Sequence, residues 1–240
     1  MPEQTGARWS WVAIAGGLIL FAMALPYFAA RGYLGRAARN WIVIQQSRHR
    51  FDRIFLGSEG QAPFRIQPNA YMIRMLEGRA PGRALDIAMG QGRNALWLAS
   101  KGWDVTGFDI SEAGLASAAA NAKRQGLKLT TVRNAVEDFD YGRRQWDLVL
   151  LVYAPVPFDS AEFMRGIRDS LKTGGIVLVE GQIEWSPARS DPRPPGALAP
   201  GDLRRIFAGG YTILDLHEVQ GVSEWFPRLT LLGRLTAERP

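Results

Sequence analysis

From residue 67 to the end, the chain alternates short apolar runs with segments of helical period, and this alternation restricts the fold more than any other feature. Residues 83–88, 104–109, 129–134, 146–153 and 176–180 are short and rich in Val, Ile and Leu, as buried strands are. Between them, residues 93–102, 112–125 and 160–172 read as helices. In the last, Phe163, Ile167 and Leu171 recur every four residues and would face a sheet. Strand and helix in alternation predict an α/β fold: a doubly wound, mostly parallel sheet with helices on both faces. Residues 211–219 and 228–237 are two strand-like runs with no helix between them, expected to pair antiparallel at one edge and to complete seven strands. Residues 187–200 hold five prolines and read as a loop after the fifth strand.

The composition closes off several functions. At 47% hydrophobic over 240 residues the chain can bury a full core, which excludes intrinsic disorder. It has no cysteine and only His49 and His217 as histidines. Disulfide scaffolds, thiolate metal sites and cysteine nucleophiles are excluded, and no metal centre is expected. The net charge of +6 is unevenly placed: residues 1–53 hold seven arginines against Glu3 and Asp52, leaving +1 for residues 54–240. A catalytic portion this close to neutral gives no expectation of a nucleic-acid partner.

Residues 9–30 form a run of 22 without a charge, bracketed by Arg8 and Arg31. As a helix the run would extend roughly 33 Å, enough for a bilayer core of about 30 Å. Trp9, Trp11, Tyr27 and Phe28 lie near its ends, where headgroups favour amphipathic rings. One N-terminal transmembrane helix is the expectation; a cleaved signal peptide ending at residues 22–24 and a buried core helix are the alternatives. Six arginines between residues 31 and 53, against one before the run, place the C-terminal bulk on the cytoplasmic side. Residues 33–56 interleave those arginines with apolar side chains. They read either as a helix on anionic headgroups or as one packed on the catalytic domain. The expected organisation is a tail and span over residues 1–31, a basic linker or helix over 32–66 and a catalytic domain over 67–240.

The chemistry shows in the first strand, turn and helix. Asp86 lies in the strand, Gly90 and Gly92 in the turn, and Arg93 and Asn94 open the helix, whose free N–H groups favour an anionic ligand group. Asp109 follows Gly90 by 19 residues, at the end of the second strand, where an acid can accept the hydroxyls of a ribose. A nucleotide-type cofactor follows. Asp86 would add unwanted negative charge near a pyrophosphate, but it favours a cofactor bearing an ammonium and a sulfonium, as S-adenosylmethionine does.

From about residue 67 onward the sequence resembles the seven-strand, Rossmann-like (class I) S-adenosylmethionine-dependent methyltransferases, with most likeness to their tellurite-resistance-type branch. The likeness rests on the glycine turn through Gly90 to Asn94, on residues 101–111 around the second strand, on 146–149 and on 171–175. It implies that Gly90 and its neighbours pass close to the methionine part, with Asp86 near its amino group. Asp109 would bind the ribose, Ile110 would pack on the adenine, and Asn134 and Ala135 would read the adenine edge, with Glu137 or Asp138 as substitutes. Arg93 and Asn94 either touch the cofactor carboxylate or fix the loop. Ala88 departs from the family, which most often has glycine there; alanine fits if its dihedrals are strand-like.

Methyl transfer needs an acceptor held in line with the methyl group and water kept away. Side chains at the carboxyl ends of the strands can do this, so Tyr153 and Glu180 are the expected acceptor-side residues, Tyr153 also as a cation–π neighbour of the sulfonium. The expected activity is methyl transfer from S-adenosylmethionine to a small-molecule or lipid acceptor at a cytoplasmic membrane face. A non-catalytic cofactor-binding scaffold, a nicotinamide-dependent oxidoreductase and a nucleic-acid methyltransferase are the competing readings.

Overall fold

The computed structural model describes residues 36–57, 65–184 and 196–240, the side chains of 36–41 excepted. The chain divides into two compact units, Met1–His49 and Arg50–Pro240. Helix α1, Arg36–Phe55, begins in the first and ends in the second. The expected transmembrane helix over residues 9–30 lies outside the described residues. Among those that are described, no helix is long and apolar enough to cross a membrane.

The second unit is built on strands β1 (Arg83–Ile87), β2 (Asp104–Asp109), β3 (Thr130–Arg133), β4 (Trp146–Val152), β5 (Leu171–Gln182), β6 (Thr212–Val222) and β7 (Leu229–Glu238). Its further helices are α2 (Ala70–Met75), α3 (Arg93–Ser100), α4 (Glu112–Arg124), α5 (Ala161–Ser170) and α6 (Asp202–Phe207). The seven strands form one sheet in the order β3-β2-β1-β4-β5-β7-β6. The first five run parallel, and β7 pairs antiparallel with both β5 and β6. The predicted antiparallel pair is therefore present, with β7 inserted beside β5 and β6 left as the edge.

Alternation along the strands divides the core. Leu85, Ile87, Val149, Leu151, Val177 and Val179 pack with Phe163 and Ile167 of α5 and with Leu203 and Phe207 of α6. Ala84, Leu148, Leu150 and Leu178 pack with Tyr71 and Met72 of α2, Leu98 of α3 and Leu115 of α4. Asp86 shares the face of Ala84, and Glu180 that of Leu178, so both carboxylates point under the helices rather than into solvent. Between β1 and β4 the crossovers turn in opposite directions. The cleft beyond the carboxyl ends of these strands is where ligands bind in open α/β sheets.

Two local differences from the expectation have physical causes. Leu171, expected on the sheet-facing side of a helix over residues 160–172, pairs instead with Trp146 and opens β5. The bulge between Trp146 and Leu148 absorbs the four residues before Ile176. Ala88, expected to keep strand-like dihedrals, has φ of +55°. The chain reverses there directly after β1, at a cost of about 1–3 kcal/mol for a residue with a Cβ.

Candidate functional site

The glycine turn is held from both sides. Gly90 and Gly92 take φ of +54° and +76°, and Gly92 caps α3 without a side chain, which leaves the helix start open to a ligand. The Met89 N–H donates to the Phe108 carbonyl at 3.0 Å, tying the turn to β2. Asp109 completes the tie: its Oδ2 accepts from the Gly90 N–H at 2.9 Å and its Oδ1 from the Ser111 N–H at 2.8 Å. Burial pushes the Asp109 carboxyl up from the ordinary range, those two N–H groups draw it down, and the charge of Asp52 raises it again. Each oxygen of Asp109 keeps a lone pair for a further donor.

Asp86 differs. It is 3% exposed, and its Oδ2 has no hydrogen-bond partner among the described residues. Burial pushes it up to about 7, against the nearby charge of Arg93 and a hydrogen bond from the Ala95 N–H, while Asp109 adds repulsion. A buried carboxylate oxygen with no donor is unstable in its charged form, and an ammonium group placed beside it would correct that. The residues present thus fit a cofactor that brings one.

The other predicted cofactor residues fall into two groups. Ile110 is half-buried at the end of β2, and the Asn134 N–H donates to the Asp109 carbonyl at 3.1 Å, bringing the ends of β2 and β3 together. The Asn134 side chain is partly engaged: its Oδ1 accepts from the Ala135 N–H at 3.0 Å and its Nδ2 donates to the Asp138 carbonyl at 3.3 Å. Glu137 and Asp138 are exposed. Asn94 serves the loop, since its Oδ1 accepts from the Asn69 N–H at 2.9 Å.

Tyr153 follows β4 with φ of +55°, a second left-handed residue at a strand end. Its N–H donates to the Glu180 carbonyl at 2.7 Å and its hydroxyl to Glu180 Oε1 at 3.1 Å. Burial, and then the charge of Glu180, push the Tyr153 hydroxyl well above its ordinary value, so it stays protonated and acts as a donor. Glu180 is 1% exposed and holds three donors: Oε1 also accepts from Asn69 Nδ2 at 2.8 Å, and Oε2 from Arg234 Nε at 2.5 Å. It thereby fixes Tyr153, Asn69 and Arg234 in place around it.

Three groups escaped the sequence reading. Glu224, in the turn between β6 and β7, accepts from Asn69 Nδ2 at 2.9 Å and from Arg93 Nη1 at 2.7 Å, both on Oε2. Asp52, near the end of α1, accepts from Ser111 Oγ at 2.6 Å and from the Ala113 N–H at 3.1 Å, capping α4 from outside. The Phe55 ring lies against the glycine turn, where a Cβ on Gly90 would meet its Cζ at 2.7 Å and one on Gly114 its Cδ2 at 3.0 Å. Asp52 carried a signal, being the one acid in a segment of arginines.

Residues 84–175 match the family model described as a methyltransferase domain. The match, the seven-strand sheet and the acids at the ends of β1 and β2 agree with the resemblance to class I S-adenosylmethionine-dependent methyltransferases drawn from the sequence. The chain is 32% identical over 106 residues to a probable S-adenosyl-L-methionine-dependent methyltransferase, TehB, of Haemophilus influenzae, covering 42% of this chain and 36% of that one. It is 31% identical over 104 residues to an uncharacterized methyltransferase of Synechocystis, covering 42% of this chain and 47% of that one. The chain thus spans about half or less of the length of these curated relatives. In fold it resembles the crystal structure of TehB, with a TM-score of 0.61 at 16% identity over 72% of this chain and 62% of the other. It also resembles a Burkholderia thailandensis 1,6-didemethyltoxoflavin-N1-methyltransferase with bound 1,6-didemethyltoxoflavin and S-adenosylhomocysteine. There the TM-score is 0.60 at 20% identity, over 83% of this chain and 89% of the other. One of these relatives is named for S-adenosyl-L-methionine and one of these solved structures holds S-adenosylhomocysteine.

Proposed function

We propose that the chain transfers a methyl group from S-adenosylmethionine to a small or lipophilic acceptor at the cytoplasmic face of a membrane. The observation that carries the reading is the enclosed, donorless oxygen of Asp86 beside a glycine turn that Asp109 ties to the end of β2. When bound, the cofactor supplies a methyl group already activated on a sulfonium. Asp86 balances its ammonium, the open start of α3 and the turn from Ala88 to Gly92 receive its methionine part, and Asp109 accepts from its ribose. Ile110 packs on the adenine, and Asn134 and Ala135 read its edge. Tyr153 orients the acceptor, and Glu180 holds Tyr153 in place. The membrane part of the proposal rests on the uncharged run over residues 9–30 and the arginines that follow it.

The test is calorimetric titration of the full chain in detergent with S-adenosylmethionine, S-adenosylhomocysteine and NADH. Both sulfur compounds are expected to bind and NADH is not. Asp109→Ala should weaken S-adenosylhomocysteine binding at least about tenfold, since it removes charged hydrogen bonds from the ribose. Equal binding by Asp109→Ala and the wild type would overturn the cofactor-site assignment, and binding of NADH alone would overturn the function.

A further inference from the structure

Beyond Glu180, the carboxyl ends of β4 and β5 face a second buried carboxylate that the sequence pattern did not reveal. Glu224 is 8% exposed, carried inward by the turn between β6 and β7. The turn is a fixed structure. The Ser223 N–H donates to the Arg228 carbonyl at 2.9 Å, the Arg65 N–H to the Glu224 carbonyl at 2.9 Å, and Gln182 Nε2 to the Trp225 carbonyl at 3.3 Å. Phe226 takes φ of +52° to complete the turn, a conformation a bulky residue adopts only under constraint.

The donors and acceptors around Glu224 can be counted. Asn69 is used completely: its two Nδ2 hydrogens go to Glu180 and Glu224, its Oδ1 accepts from the Met72 N–H, and its own N–H goes to Asn94. Arg93 Nη1 serves Glu224 and the Gln67 carbonyl, and Arg234 Nε serves Glu180. The Tyr153 hydroxyl donates to Glu180 and accepts from the Glu224 N–H at 3.2 Å, which leaves it one lone pair. Every bond to the Glu224 carboxylate is made on Oε2. Its Oε1 has no partner among the described residues and is open to a donor from the cleft, the side chain being 11% exposed. The cluster thus presents two free acceptor atoms, Glu224 Oε1 and the Tyr153 oxygen. Its charges are Glu180 and Glu224 against Arg93 and Arg234, with Asp86 given over to the cofactor ammonium.

Register places this cluster beside the cofactor loop. Val152 pairs with Glu180, and Leu150 pairs with both Asp86 and Leu178, so Glu180 lies one pleat repeat further toward the carboxyl ends than Asp86. Arg93 joins the two regions, since its charge acts on Asp86 while its Nη1 bonds Glu224.

We propose that Glu224 is the acceptor-binding residue of this enzyme, and that with Tyr153 it selects an acceptor presenting an N–H or O–H donor, as an amine or alcohol does, and rejects oxyanions. The proposal rests on the methyltransferase reading above and adds the class of acceptor. A carboxylate or other oxyanion would face a site whose free atoms are acceptors, so it would gain no hydrogen bond and would set its charge against the Glu224 carboxylate. An ammonium or hydroxyl supplies the donor that Glu224 Oε1 lacks. In the transfer, an ammonium acceptor first gives a proton to the Glu224 carboxylate, which frees the nitrogen lone pair. That pair, or a lone pair of the hydroxyl oxygen, then forms the bond to the methyl carbon as the carbon–sulfonium bond breaks and its pair goes to sulfur. The proton of a hydroxyl acceptor goes to the same carboxylate as the bond forms.

The test uses three probes with one aromatic body: phenethylamine, 2-phenylethanol and phenylacetate. Their binding to the full chain in detergent, saturated with S-adenosylhomocysteine, is measured by ligand-observed magnetic resonance. The amine and the alcohol are expected to bind and phenylacetate is not. Glu224→Gln keeps the size of the side chain and should weaken the amine at least about tenfold, since a charged hydrogen bond is lost, while S-adenosylhomocysteine affinity stays within about twofold. Phenylacetate binding as tightly as the amine, no binding of either amine or alcohol, or an amine affinity unchanged in Glu224→Gln would each overturn the proposal. The selectivity among the probes is read on the wild type, so it stands even if the variant does not fold. Failure of the wild type to bind S-adenosylhomocysteine at the outset would instead overturn the methyltransferase reading on which the proposal rests.

Discussion

Asp86 is where burial and charge are most out of balance, and its balance is measurable. Its folded value of about 7 lies above the model-peptide value of 3.8, so between those pH values the folded chain keeps a proton that the unfolded chain has released. Stability without cofactor therefore falls as pH rises through that window and stays lower above it. Asp86→Asn removes the penalty. At about pH 8 it should stabilise the cofactor-free protein by at least about 1 kcal/mol, and at about pH 5 by much less, as read by denaturant titration. The same substitution should weaken S-adenosylhomocysteine and abolish the wild type's expected gain in affinity between about pH 6 and 8, because no carboxylate is left to ionise beside the ammonium. A cofactor affinity independent of pH in the wild type would contradict the assignment of Asp86. Asp86 and Asp109 were legible in the sequence because their places depend on local order, one acid within a strand before a glycine turn and one at the next strand's end. Glu224 was not, since it reaches Asn69 across 155 residues and no spacing records such a contact.

At the scale of elements, the end of α1 is the part whose role the sequence left open between a membrane surface and the catalytic domain. Within the second unit its last residues pack on the cofactor loop: Asp52 caps the start of α4 and Phe55 lies against Gly90 and Gly114. Burial raises Asp52, but the hydrogen bonds from Ser111 and Ala113 and the charge of Arg133 leave it lowered overall. A lowered carboxylate stabilises the fold above its unfolded pKa, and that contribution is lost as pH falls through the folded value, here below about pH 4. Asp52→Ala should cost about 1 kcal/mol near neutrality, the usual worth of a helix cap, and the difference from the wild type should vanish in acid. Phe55→Ala should speed both association and dissociation of S-adenosylhomocysteine in stopped-flow measurements, since it uncovers the turn. Unchanged rates would show that the ring has no part in covering the cofactor. The short helices α2 and α6 were invisible to periodicity because six residues complete fewer than two turns. The strands were visible as short segments with β-branched and apolar residues, most plainly β4 and β5, which contain contiguous apolar runs.

For the whole molecule, the parallel sheet followed from strand and helix in alternation, but the insertion of β7 between β5 and β6 did not. Two consecutive strands pair equally well with either one inside. Burial distinguishes them, since β7 carries Leu232, Leu235 and Ala237 into the core while β6 is half-exposed along its length. The charge distribution makes a separate demand. A segment of 22 uncharged residues followed by six arginines within the next 23 is costly to leave in water, whereas residues 54–240 carry only +1. The full chain should therefore float with vesicles containing anionic lipid. Leu18→Arg combined with Leu20→Arg should release it, since each charge near the middle of a span costs about 2.5–3.5 kcal/mol on insertion scales. Release by high salt alone would point to the arginines as the anchor, and retention of the double variant on vesicles would argue against a span. A mature chain found by mass spectrometry to begin after Ala24 would establish the segment as a cleaved signal and place the catalytic unit on the other side of the membrane.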